Sequence, residues 1–164
     1  MNTHKRIAVA IVVIFFTLVK LDTFGLGDDT HLLRGLEGVQ VIVEEIPPEL
    51  KRDGLTKSQL KTDVELALRI SGIKVLSAEE RVQILSQPIL YLNVNVMKTQ
   101  GPAYVFNVDL SVRETGITLR GGMTWAPTWE WGYVGITSEL ASIRDYVKDM
   151  VDRFINAYLT ANPK

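Results

Sequence analysis

The chain contains no cysteine. Without a thiol it has no disulfide to staple it, no leading Cys to carry a lipoprotein's acyl chains, and no thiolate nucleophile or metal ligand. Its stability must therefore come from packing. Histidine is almost as scarce: the two present are His4 and His31, both outside the stretch that reads as the folded domain. Ser-His and Cys-His nucleophilic pairs and histidine-based zinc sites are thereby removed from that domain. No glycine-rich loop follows a strand and opens a helix, so nucleotide binding has no motif to stand on. Runs of Lys or Arg are missing too, which leaves nucleic acid and anionic membrane surfaces without a footprint. No cofactor and no metal is expected.

One hydrophobic run is present, at the front. His4-Lys5-Arg6 is a short basic region, Ile7 to Val19 is uncharged and apolar, and Lys20 and Asp22 end it. This is the layout of a secretory signal. A spanning helix wants about 20 apolar residues, and extending this run to Leu26 would bury Lys20 and Asp22. A signal peptide over residues 1–27 is the expectation, with an uncleaved anchor over residues 7–26 as its competitor. No Ala-x-Ala marks the cut, and Gly25 and Gly27 are the nearest small pair. Cleavage there removes three of the 18 basic and one of the 19 acidic residues, leaving a net charge of −3. The expected location is periplasmic or secreted, the alternative being anchorage in the inner membrane.

Beyond the run, residues 28–38 mix charges, glycines and leucines and read as a linker. Residues 39–164 suit a single domain. Its organising stretch runs from Ile89 to Glu114. Leu90, Leu92, Val94 and Val96 alternate with Tyr91, Asn93 and Asn95, the period of a half-buried strand. After Lys98-Thr99-Gln100-Gly101-Pro102, residues Tyr104, Phe106, Val108, Leu110 and Val112 alternate with Asn107, Asp109, Ser111 and Arg113. A hairpin with one oily and one polar face follows.

The other elements read as cover for the oily face. Val39–Val43 is a β-branched strand stopped by Ile46-Pro47-Pro48. Thr56 and Gln59 form a capping box for a helix that buries Leu60, Val64, Ala67 and Leu68, and Gly72 ends it. Ile73–Leu76 reads as a second short strand, reached by a right-handed crossover. Ser77 and Glu80 cap a short helix running to about Leu85. Gly121-Gly122 turns the chain into an aromatic last strand interrupted at Pro127. From Ser138 to Thr160 the period becomes 3.6, with Leu140, Ile143, Val147, Met150, Val151, Phe154 and Tyr158 on one stripe. Burying its larger side chains at roughly 1.5–3 kcal/mol each makes this helix a main source of stability. The fold class is α+β: a two-layer sandwich in which two main helices pack on one face of a mostly antiparallel sheet of four to five strands, in the order β-α-β-β-β-β-α.

Candidate sites are few. Trp125, Trp129 and Trp131, with Tyr133, gather every tryptophan within seven residues, and flat rings presented together stack on sugars or receive an apolar partner. Arg120, Arg113 and Glu130 are the polar groups nearest such a patch. Strand-spaced aromatics more often cover helices, and that reading competes directly. Glu44-Glu45, Glu79-Glu80 and Asp149 with Asp152 are paired carboxylates of the kind acid-base chemistry uses, but acidic neighbours on exposed faces commonly serve solvation. Asp63 is the one charge within the apolar sector of the first long helix. It is expected at the stripe's edge, paired with a cation or a backbone donor.

The run Leu36-Glu37-Gly38-Val39, the helix end Leu68-Arg69-Ile70-Ser71-Gly72-Ile73, the strand Leu90-Tyr91-Leu92-Asn93-Val94, the pair Thr124-Trp125 and the tail Val151-Asp152-Arg153-Phe154 with Asn162-Pro163 resemble an uncharacterised family of short exported bacterial α+β proteins. The element order is also similar to small envelope domains, such as the amino-terminal domain of the Tol-system propeller protein and the periplasmic part of the curli secretion channel. That second likeness concerns fold alone. Together these readings favour a non-enzymatic domain that works through contacts with an envelope protein. The alternative is a module for glycan or an apolar ligand, built on the tryptophans. An enzyme using carboxylates alone comes third.

Overall fold

Alternating side chains leave a β-hairpin one way to fold, with every oily residue on the same side. In the computed structural model, which describes residues 29–52 and 54–163, β2 (Ile89–Lys98) and β3 (Tyr104–Ile117) pair antiparallel from Ile89 opposite Arg113 to Lys98 opposite Tyr104. Thr99 ties off the loop: its backbone N–H and its hydroxyl both donate to Ala103 O, at 2.9 and 2.8 Å. Leu90, Leu92, Val94, Phe106, Val108, Leu110 and Val112 are all buried, as the alternation requires. β4 (Met123–Thr137) pairs antiparallel with β3 along its outer side. β1 (Gln40–Val43) lies parallel to β2, which gives one sheet in the order β1-β2-β3-β4.

Two helices cover the oily side. α1 (Pro48–Arg52) is a short turn of helix that leads toward α2 (Lys57–Ile70), which buries Leu60, Val64 and Leu68. α3 (Ala78–Arg81) is another short helix, and α4 (Ile143–Ala161) buries Ile143, Val147, Met150, Val151, Phe154 and Ile155. Phe154 is fully enclosed, its ring 5.3 Å from that of Trp129 on β4. The expected α+β sandwich, with two main helices on one face, is the architecture found.

Several local expectations need correction. Ile73–Leu76 is not a fifth strand. It makes one parallel bridge, Val39 with Val75, held by Val39 N–H to Lys74 O at 3.0 Å and Leu76 N–H to Val39 O at 2.9 Å. Gly72, at φ +76°, ends α2 just before it, and the capping box of Ser77 and Glu80 starts α3 just after it, so one pair is all that fits. α3 stops at Arg81, short of Leu85. Half of the other capping box forms: Thr56 Oγ1 accepts from Gln59 N–H at 3.3 Å. The Gln59 amide lies elsewhere, and in the orientation its neighbours favour it donates to Gly54 O at 3.2 Å and accepts from Arg144 Nη1 at 2.9 Å.

Pro127 does not interrupt β4. The strand passes through it with a bulge, because Val112 pairs with Trp129 while Arg113 pairs with Pro127, and Thr128 is skipped. An edge strand tolerates a proline where no partner waits for its missing N–H.

The stretch read as a linker is docked. Asp29–Leu33 is a 3-10 turn, and Leu33 and Leu36 belong to the core. Asn162, just past the end of α4, accepts from Gly35 N–H at 2.7 Å and donates to Leu33 O at 2.9 Å and Tyr158 O at 3.0 Å, while the Tyr158 hydroxyl donates to Leu36 O at 2.8 Å. The 1–27 signal peptide falls outside the described residues.

Phe154→Ala is expected to destabilise the domain by about 3–5 kcal/mol, since it empties a site enclosed on all sides. Asn162→Ala is expected to lower stability by about 1–3 kcal/mol through the carbonyl and N–H groups it orphans. Urea unfolding of the two variants checks both magnitudes, and limited proteolysis of the second is expected to cut first within residues 29–36.

Candidate functional site

The bulge at Thr128 decides what the tryptophans do. Skipping one residue reverses the side to which the following side chains point. Trp129, Trp131 and Tyr133 pair with Val112, Leu110 and Val108 and share their oily side, whereas Trp125 pairs with Thr115 on the side of Arg113 and Ser111. The first three lie beneath α4. Trp129 meets Phe154, Trp131 takes the Arg153 guanidinium 3.8 Å above its ring, and Tyr133 stacks on Tyr146 at 4.6 Å. Trp125 is half exposed, with the Arg81 guanidinium 5.5 Å from its ring, and Arg120 is exposed in the turn between β3 and β4. Of the five residues singled out, Trp129, Trp131 and Tyr133 come together, and Trp125 and Arg120 do not join them.

On the open side of the sheet Gly132 faces Asp109, so closely that a Cβ there would lie 2.9 Å from Asp109 Oδ1. The missing side chain leaves a notch of about 350 Å³, lined among others by Asn93, Asp109, Ser111, Arg113 and Glu130. Arg113 is pinned over the Tyr91 ring at 3.9 Å, and its Nε donates to Ser111 Oγ at 3.1 Å. Burial holds the Asp109 carboxyl above the ordinary aspartate value, against the opposing pull of the Asn107 hydrogen bond and the Arg113 charge. Hydrophobic alternation marks these positions only as the polar face. A glycine inside a strand was the available signal.

A larger concavity lies between the two long helices. It is a groove of about 620 Å³ whose apolar lining includes Val64, Ala67, Val147 and Val151. Leu66 and Ile70 on α2 line it as well and are exposed, Ile70 to 78%. Both signs of charge rim it: Glu139 and Asp145 beside Lys148, with Arg144 reaching across to Asp63, Nη2 to Oδ2 at 2.7 Å and Nε to Oδ2 at 3.2 Å. Asp63 thus sits where expected, at the edge of its stripe with a cation. Such a concavity offers apolar area with charges of both signs along its rim.

The paired carboxylates stay apart from these cavities. Glu44, Glu45, Glu79 and Glu80 are exposed, as is Asp149, and Asp152 accepts from Lys148 at 2.7 Å. Among the described residues there is no cluster of three or more His, Asp or Glu side chains placed to hold a metal, and no helix long and apolar enough to cross a membrane. Comparison with protein-family models, with curated protein sequences and with solved structures finds no match.

Two measurements check this placement. Trp125→Phe is expected to remove most of the acrylamide-quenchable tryptophan emission and to shift the remainder to the blue; an unchanged quenching curve places the accessible ring elsewhere. The raised Asp109 value means that the folded state holds that proton more tightly than the unfolded chain. This group's contribution to stability therefore falls as pH rises from the ordinary aspartate range through the raised folded value, and stays lost above it. Asp109→Asn is expected to melt higher than the parent at neutral pH, with the gap closing in acid. Thermal melts across pH test the convergence.

Proposed function

We propose that this chain is a non-enzymatic domain of the cell envelope that works by holding a protein partner, with the groove between α2 and α4 as its contact surface. The observation that carries this reading is the pair Leu66 and Ile70, large aliphatic side chains exposed on the wall of an apolar trough. Burying Ile70 in a partner is worth up to roughly 1.5–3 kcal/mol and the half-exposed Leu66 correspondingly less, whereas the area they leave in water gains nothing for the fold. The Asp63–Arg144 pair, with Lys148 and Asp145 near it, supplies charges of both signs along the rim. Rim charges of that kind select orientation and partner more than they add affinity. An amphipathic segment of an envelope protein, laid apolar side down, is the partner this chemistry describes. The signal-like amino terminus and the resemblance to short exported bacterial proteins support an envelope compartment. A glycan module built on Trp125, Trp129 and Trp131 would present only Trp125 away from α4.

A photo-crosslinking residue placed at Ile70 is expected to give a discrete protein adduct in native envelopes, and Leu66→Glu in the same chain is expected to reduce it several-fold without lowering the melting temperature. The same probe at Gln100, in the loop at one end of the sheet, is expected to give none. An adduct indifferent to Leu66→Glu overturns the groove, and turnover of an envelope substrate by the purified chain overturns the non-enzymatic reading.

A further inference from the structure

One end of the domain is oily in a way the core does not explain. β2 accompanies β3 only as far as Ile89 opposite Arg113, beyond which Glu114–Ile117 and Met123–Ala126 continue as a bare two-stranded ribbon. Its tip closes by Thr118 N–H to Gly122 O and Gly121 N–H to Thr118 O, both 2.8 Å, with Gly121 at φ +80° supplying the turn. Leu119 at the tip is wholly exposed, and Ile117 and Met123 are exposed to 78% and 76%. Trp125 adds a half-exposed ring. At the base, Thr115 N–H donates to Ser86 O at 2.7 Å, which sets the 96%-exposed Leu85 beside the ribbon.

The chain enters the domain at this same end. β1 is parallel to β2 and starts level with it, Gln40 opposite Ile89, so whatever precedes β1 arrives from the ribbon's side of the sheet. A cavity there is lined jointly by Leu32 and Arg34 from the entering segment and by Leu85, Glu114 and Thr115 from the ribbon's base. In sequence, the apolar stretch Ile7–Val19 comes shortly before that segment. In sequence order, the longest hydrophobic run of the chain therefore precedes a segment that enters at the end exposing Leu119, Met123 and Trp125.

We propose that the amino-terminal stretch over residues 7–26 is retained as a membrane anchor and that the ribbon rests on the bilayer this anchor enters, with Leu119, Ile117 and Met123 among the acyl chains and Trp125 at head-group depth. This takes the anchored alternative over the cleaved signal. It concerns a different surface from the groove, so either proposal stands without the other. The physical case has three parts. Large aliphatic side chains gain from leaving water, and indole settles where one side is apolar and the other wet. Tethering makes the second contact intramolecular, so a ribbon too weak to bind a bilayer alone binds well beside an anchor. Depth is limited, because a two-stranded ribbon has unpaired backbone groups at both edges and cannot cross hydrocarbon. Arg120 at the tip marks that limit, since its stem can lie among the chains only if its guanidinium reaches back to phosphate. A protein partner at this end would need no apolar run leading into it.

The lack of cysteine makes the test direct. Leu119→Cys and Gln100→Cys, each made in the full chain, provide single labelling sites at the ribbon tip and in the loop at the other end of the sheet. Each carries an environment-sensitive fluorophore, and each chain is reconstituted in vesicles of phosphatidylethanolamine and phosphatidylglycerol. Spin-labelled lipid is expected to quench the Leu119 site several-fold more than the Gln100 site, and the Leu119 label is expected to shift to the blue. Equal quenching at the two sites overturns the proposal. So does a Leu119 label that stays in water on vesicles but crosslinks to a protein in native envelopes, which makes this end a protein contact. Intact mass of the chain recovered from cells tests the tether separately: retention of residues 1–27 is expected, and their loss overturns it. Because Leu119 touches nothing in the fold, a melting temperature equal to the parent's is expected for its variant and shows that the label reports on a native domain.

Discussion

Everything in this molecule leans on the contact between α4 and the oily side of β3 and β4. Phe154 is the centre of it, closed in by Trp129, with Tyr146 tilted against Phe106 one step along. A sheet with one apolar face is not stable alone in water, and the helix that covers it would not hold its shape without the sheet. The rest follows from that mutual need. Trp131 and Tyr133 extend the same surface beneath the helix, and Asn162 at the helix end reaches back to hold the entering segment in place. With no disulfide to help, and with the ion pairs at or near the surface, where solvent screens them, packing has to supply the margin.

The bulge at Thr128 shows how one residue redistributes chemistry. In unbroken pleat, Trp125, Trp129, Trp131 and Tyr133 would all point the same way. Skipping Thr128 sends Trp125 to the opposite side and leaves three rings for the helix. Thr128 itself is held by its hydroxyl, which donates to Glu114 Oε2 at 2.9 Å across the strands. Pro127 beside it gives the strand a reason to break register at this point, since a proline does best where no ladder bond is asked of it.

Most of the architecture was legible because it is written in periods. The alternation over Leu90–Val96 and Tyr104–Val112 fixed the faces of the hairpin, and the 3.6 stripe fixed the face of α4 from Ile143 to Tyr158, although its first member, Leu140, falls in a 3-10 turn (Leu140–Ser142) ahead of the helix expected from Ser138. What escaped has physical reasons. Residues 29–38 lack a period, and their anchorage depends on Asn162, more than a hundred residues away, which no local pattern announces. Ile73–Leu76 has strand composition, but Gly72 and Ser77 crowd it to a single bridge. Of the sites, Asp63 was placed correctly because an unpaired carboxylate on an apolar stripe demands a cation. The groove was not foreseen, because Leu66 and Ile70 look like ordinary flanking residues until α4 is set beside α2. The notch at Gly132 depends on the identity of the residue opposite it, and register at that resolution lies beyond alternation.

What remains after the core is built is where function has to be sought, and the leftover side chains sort by place. Lys and Glu on the helices pair at one-turn spacing, as in Lys61 and Arg69 around Glu65, and account for themselves as solvated surface. The apolar leftovers do not. A fold that encloses Phe106, Phe154 and Leu110 almost completely has no evident difficulty burying large side chains, so Leu66 and Ile70 on the helical side, and Leu119 and Leu85 at the ribbon end, are not there for want of room. The ribbon adds a second consideration, since two strands beyond the support of β2 gain little stability of their own. A segment that gains little stability of its own, carries the most exposed aliphatic side chain among the described residues, and lies where the chain enters is best understood by what it meets outside the domain. The same reasoning applies to the groove, with a different neighbour. Two apolar surfaces on separate parts of one small domain allow it to be held at one while it holds something at the other.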